Sequence, residues 1–228
     1  MNEDAFSAAL AGLYSTFAAP PPKEIFGCYH CLDQPQRDLL LRTPLRELTN
    51  DDLSQYAFDL FSTVGGIEDF RYFLPRIFDL SSSDISCGPA PLELVVGALS
   101  RAEWDNWPER EREAIEVFLL AWLDRWASER LVEIRWNEID ALLCGVARAG
   151  LDVTPYLWRL LEPENLLGLR ELQALDGEVA ARGSGPENFW EDSPENWRRL
   201  TDFLRLAGVR EHLSAADHPS TNTGPQAT

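Results

Sequence analysis

Along most of the chain, apolar side chains recur at steps of three and four, the spacing that lays them on one face of an α-helix. Residues 3–17 carry Phe6, Ala9, Leu10, Leu13 and Phe17 in this register. Pro20-Pro21-Pro22 then ends the helix, because successive prolines lack the N–H donors that a helix needs. A short helix is predicted over 35–42, after a loop at 23–35. Thr49-Asn50-Asp51-Asp52 reads as a cap followed by acids at the positive end of the helix dipole. From it runs a stripe of Leu53, Tyr56, Ala57, Leu60 and Phe61. Gly65-Gly66 breaks that helix, and the next carries Ile67, Phe70, Leu74, Ile77 and Phe78. Pro75 lies inside it, which predicts a kink or a later start. The two helices, joined by a tight glycine turn, read as an antiparallel hairpin.

Residues 81–91 are polar and read as a loop, with a short helix over 91–100. Pro108 suits a first helical position, and the longest helix runs from there to about 129. Its main face is Ile115, Phe118, Leu119, Trp122 and Trp126, widened by Val117, Leu120 and Leu123, so it is expected to be central. Residues 136–149 form another helix ending at Gly150, then come short helices at 155–161 and 164–176. Residues 177–192 read as a flexible polar loop, and Ser193-Pro194-Glu195 opens a last helix with Trp197, Leu200, Leu204 and Ala207. The tripeptide Pro-Glu-Asn occurs three times and reads as shared capping chemistry, not a repeat unit. The fold class expected is all-α: antiparallel helix hairpins, stacked in a HEAT- or armadillo-like array or an irregular bundle. Residues 1–213 make one helical domain, and 214–228 a small, polar, disordered tail.

Composition narrows the functional classes. No apolar run approaches the ~20 residues of a membrane span. The chain opens Met-Asn-Glu-Asp, acidic where a secretory signal is basic, which predicts a cytoplasmic protein. Acids outnumber bases 38 to 20, a net charge of -18. Nucleic-acid binding needs a basic footprint, so that class is excluded, while a basic protein partner fits. Of the basic residues only Lys23 is a lysine, and the arginines are expected to pair with helix-borne carboxylates.

Candidate chemistry is sparse. Cys28-Tyr29-His30-Cys31 supplies half of a tetrahedral zinc site on one turn. The other half would come from Cys87, Cys144 or His212, and no second Cys-x-x-Cys exists. Incidental thiols are the plainer reading, and a redox role wants a strand-to-helix setting where the sequence offers only a loop. Cys144 reads as a small buried hydrophobe. Paired acids (Glu68-Asp69, Glu103 with Asp105, Glu191-Asp192) sit at helix starts or in loops, where capping or solvation explains them. No nucleophile elbow, phosphate loop, dinucleotide fingerprint or helix-borne His pair appears, so no catalytic residue is assigned. Eight tryptophans are many for 228 residues. Trp104, Trp107 and Trp190 fall in loops and are candidate partner anchors, against core lids as the alternative. Arg71 and Arg76 are candidates to meet a partner's carboxylates, against pairing with Glu68, Asp69 or Asp79.

Several segments together resemble a family of uncharacterised bacterial proteins. They are Cys28-Tyr-His-Cys31, Pro44-Leu45-Arg46-Glu47-Leu48-Thr49, Leu53 with Tyr56-Ala57-Phe58, Asp69-Phe70-Arg71-Tyr72-Phe73-Leu74-Pro75-Arg76, and Trp104 with Trp107-Pro108. The resemblance covers roughly residues 25–125. It implies a bacterial source and a self-contained helical protein, and it carries no catalytic residues. The reading that emerges is a non-catalytic acidic protein-binding module, in its concrete form an immunity or antitoxin protein that neutralises a toxin by direct binding. The alternatives are a small structural zinc protein using Cys28 and Cys31, or an enzyme built on buried carboxylates.

Overall fold

The computed structural model describes residues 2–83, 88–128, 138–182, 189–206, 208–209 and 213. Among the described residues ten α-helices follow one another: α1 (Asn2–Thr16), α2 (Gln34–Arg42), α3 (Asn50–Asp59), α4 (Ile67–Ser83), α5 (Leu92–Arg101), α6 (Glu109–Ser128), α7 (Glu138–Arg148), α8 (Thr154–Arg159), α9 (Leu166–Arg182) and α10 (Pro194–Arg205). No strand occurs among the described residues, and the protein is all-α. Cys87, Trp136, His212, His218 and the tail at 214–228 lie outside the described residues.

Helix starts follow local chemistry. Asp33 caps α2, its carboxylate accepting the Gln36 N–H while the Gln36 side chain accepts the Asp33 N–H. Thr49 caps α3 in the same reciprocal way with Asp52. Each such cap satisfies two helix-end donors that would otherwise be unpaired. Gly150 follows α7 with φ +87°, the left-handed conformation that ends a helix. Pro75 does not move the start of α4, which runs unbroken from Ile67.

The most extensive pairings are α1 on α6 and α5 on α7, neither of them between sequence neighbours. An array of stacked repeats puts its main contacts between consecutive units, so the architecture is the irregular bundle. An aromatic spine marks its centre: Phe6 and Phe78 pack on Phe118 at 5.6 and 5.7 Å between ring centroids, and Trp122 continues to Trp126 at 5.2 Å. One apolar core runs from Phe6 to Leu213. Helix α6 is central, meeting α1, α7, α8 and α9, although Val117 faces solvent. Where α5 crosses α7 the backbones approach closely. A methyl group on Gly145 would lie 2.8 Å from Cβ of Val96 and 3.1 Å from the Leu92 carbonyl oxygen.

Two expectations need correction here. Helix α9 extends to Arg182, through Gly177 and into the stretch read as a loop. A single glycine costs a helix only about 1 kcal/mol, and Glu178, Ala180, Ala181 and Arg182 are good helix formers. The second correction concerns tryptophan. Trp104, Trp107 and Trp190 are not surface anchors but buried lids. Trp104 and Trp190 open two matching 3-10 turns, Trp104–Asn106 and Trp190–Asp192. In each, the residue before the tryptophan is left-handed (Glu103, φ 53°; Phe189, φ 63°), and the N–H three residues on bonds back to the tryptophan carbonyl. A proline follows at once, Pro108 or Pro194, and a helix begins. The two indoles grip opposite ends of α7: Trp190 Nε1 donates to Asp140 at 2.9 Å, and Trp104 Nε1 to the Ala149 carbonyl at 2.9 Å.

Candidate functional site

The segment between the triple proline and α2 is held from within by one side chain. Arg37, on the first turns of α2, is 3% exposed. Its guanidinium donates to the carbonyls of Leu32 (2.8 Å), Cys28 (3.0 Å), Gly27 (3.2 Å) and Ile25. Tyr29 covers its face, 4.4 Å from the ring centroid. No ion pair to Arg37 occurs among the described residues. A buried cation is costly unless its donors are used, and this one uses them on the loop backbone. The other side of the loop is tied to the α3–α4 turn: Cys28 N–H donates to the Thr63 carbonyl at 2.7 Å, and Gly65 N–H to that of Phe26 at 2.9 Å. Gly27 bridges to Val64 there with φ +119°, and a methyl group on it would meet the Thr63 carbonyl oxygen at 2.3 Å, so only glycine fits.

This bracing holds two large aromatic side chains in solvent. Phe26 is 64% exposed and Tyr29 66%. Phe26 also lines a groove of about 580 Å³ with Ala19, the three prolines, Lys23, Glu24 and the start of α4 from Gly66 to Asp69, together with Tyr72. Asp69 is buried in that wall. Its carboxylate accepts from the Tyr56 hydroxyl at 2.7 Å and the Gly66 N–H at 2.9 Å. Burial pushes the Asp69 carboxyl above its usual range, with both hydrogen bonds acting against the rise. Burial and the neighbouring carboxylate push the Tyr56 hydroxyl well up.

Cys28 and Cys31 are free, half-buried thiols on the turn that follows the Gly27 bridge. The nearby backbone N–H groups of Cys31 and His30 and the Cys31 side chain, with the Arg37 charge, hold the Cys28 thiol below the ordinary value against a smaller opposing effect of desolvation. Among the described residues no group of three or more His, Cys, Asp or Glu gathers around a metal-sized space. Two further donors for zinc would therefore come from residues outside those described, Cys87 among them. Cys144 is buried in α7, where burial and nearby carboxylates push its thiol up.

The remaining candidates are engaged elsewhere. Arg71 pairs with Glu111 and lies over Trp107, 5.2 Å from the ring centroid. Arg76 pairs with Asp79 at 2.8 Å and donates to the Leu48 carbonyl at 2.7 Å. Both stitch α4 to its neighbours. Glu93 and Asp140 are, with Asp69, the buried carboxylates of the described residues. Burial pushes Glu93 up, and Arg148 opposes it.

The loop was visible in the sequence through its cysteines, whereas Arg37, Phe26 and Asp69 were not singled out for it. The only signal was an arginine inside an otherwise amphipathic short helix, with Leu40 buried beside it. No family model, curated protein or solved structure matches the chain.

Proposed function

We propose that this protein is a non-catalytic binding module whose partner is a basic protein, and that the Phe26–Tyr29 loop is the contact face. In its concrete form the partner is a bacterial toxin, neutralised by direct binding. The carrying observation is that two large aromatic side chains stand in solvent on a loop whose backbone is fixed by Arg37 and the α3–α4 turn. Aromatic residues dominate binding energy at interfaces, and a contact loop already ordered in the free protein loses little entropy on association. The net charge of -18 supports a basic partner, because complementary fields speed encounter.

The test is co-expression with a panel of basic bacterial toxins. Growth rescue and co-elution of the pair, weakened by raised salt, are the expected results. Neither rescue nor a complex would sink the reading.

A further inference from the structure

The groove beside the Phe26–Tyr29 loop has a mixed lining. Phe26, Ile67 and the three prolines give it apolar walls, and the side chains of Glu24 and Glu68 stand among them. All of these but Pro22 are exposed. Asp69 does the capping at the start of α4, accepting the Gly66 N–H at 2.9 Å, and Glu68 is left free of that role. Neither Glu24 nor Glu68 has an ion pair or a side-chain hydrogen bond among the described residues. Lys23 is the one cation of the described lining, against the carboxylates of Glu24, Glu68 and Asp69. Tyr72 lines the same groove at only 6% exposure, and its hydroxyl makes no hydrogen bond among the described residues. A hydroxyl buried without a partner is costly, and a ligand that supplies a donor removes the cost. Free carboxylates, an open aromatic ring and a waiting hydroxyl are what a guanidinium uses: it stacks on rings, donates to carboxylates in a planar fork, and trails an apolar stem. The protein already contains this arrangement at Arg71, which pairs with Glu111 while lying over Trp107, 5.2 Å from the ring centroid.

From this lining we propose that the groove seats an arginine side chain carried by the basic partner. Its methylene stem packs against Ile67 and the prolines, and its guanidinium lies on the Phe26 ring. Its N–H groups donate to the carboxylates of Glu24 and Glu68 and to the Tyr72 hydroxyl. A lysine ammonium meets the same carboxylates but brings no planar group to the ring, so arginine is the preferred occupant. The proposal rests on the binding reading above and names the group that the partner presents. Phe26 belongs both to the contact loop and to the groove, which makes the two one continuous surface.

N-acetyl-argininamide, whose guanidinium is its only charge, is the probe, titrated into the isotope-labelled full chain and followed by backbone amide NMR shifts. Saturable shifts at the Phe26, Gly66, Ile67 and Glu68 amides are the expected result. N-acetyl-citrullinamide, a neutral analogue of the same shape, should bind about tenfold more weakly or worse, with N-acetyl-lysinamide between the two. Glu24→Gln/Glu68→Gln should weaken the arginine probe about fivefold or more, and Tyr72→Phe should weaken it about two- to threefold. The double variant changes two exposed side chains, and an unchanged thermal melt verifies its fold. Citrullinamide or lysinamide binding as tightly as argininamide, shifts confined to residues away from the groove, or unchanged binding to the double variant would each overturn the proposal. The two readings separate cleanly. An arginine-selective groove in a protein that no toxin of the panel engages overturns the partner reading and leaves the groove. A toxin complex that Glu24→Gln/Glu68→Gln leaves at full strength overturns the groove and leaves the partner.

Discussion

Arg37 lies buried with its guanidinium turned to four backbone carbonyls, those of Ile25, Gly27, Cys28 and Leu32. Replacing it by alanine leaves the carbonyls of Ile25, Gly27 and Leu32 without the donor it supplies, and that of Cys28 with the Leu32 N–H alone, and the expected loss is about 3 kcal/mol or more, at roughly 1–3 kcal/mol for each buried acceptor left unpaired. Urea denaturation measures it, and a loss below about 1 kcal/mol, the worth of one ordinary hydrogen bond, would mean that water replaces the guanidinium freely. The Tyr56–Asp69 pair gives a prediction with a pH signature. Tyr56→Phe removes one of two donors to a buried carboxylate and should cost about 1–3 kcal/mol near neutral pH. The folded-state pKa of Asp69 is already raised, so the ionised form destabilises the fold as pH climbs from the unfolded value through the folded one. Losing the tyrosine donor widens that gap. The penalty of Tyr56→Phe should therefore be largest above the raised pKa of Asp69 and shrink as acid protonates the carboxyl, and a pH-independent penalty would contradict this assignment.

At the scale of elements, two glycines make opposite predictions. Gly145 sits where α7 meets α5, and Gly145→Ala would place its methyl 2.8 Å from Cβ of Val96. Overpacking of this kind costs about 1–3 kcal/mol, more than the helix propensity of alanine returns. Gly12, inside α1, has no atom within 4 Å of the corresponding position, so Gly12→Ala should stabilise by about 0.4–1 kcal/mol. Thermal melts of the two variants should move in opposite directions, and a shift in the same direction would show that the α5–α7 crossing is looser than described. Most helices were legible from periodicity and punctuation. The stripes of α1, α3, α4, α6 and α7 carry the residues the core buries, and Thr49, Gly150 and Pro194 stand at the helix ends where capping chemistry places them. The two tryptophan turns were not legible, because a non-glycine residue in the left-handed region has no composition cue. Only the spacing of Trp104 to Pro108 and Trp190 to Pro194 hinted that the two segments are alike. The pairing of α1 with α6 escaped as well, since amphipathic stripes declare that a helix is buried but not against which partner.

For the molecule as a whole, the acid excess and the braced aromatic loop point the same way, toward association steered by charge and anchored by Phe26 and Tyr29. The cysteines led the sequence reading to this loop, but its exposed rings and hidden arginine emerge only when residues 25–37 close around one guanidinium. Truncating two interface aromatics costs about 2 kcal/mol or more each when they are central, so the double variant Phe26→Ala/Tyr29→Ala should lose most of its affinity while keeping its fold. Affinity capture from lysate of the native source, with wild-type and double-variant protein immobilised side by side at low and moderate salt, tests the account most directly. One dominant basic protein, held by the wild type, lost from the variant and weakened by salt, is the predicted result. The same proteins retained equally by both columns, or none retained by the wild type at either salt, would contradict it.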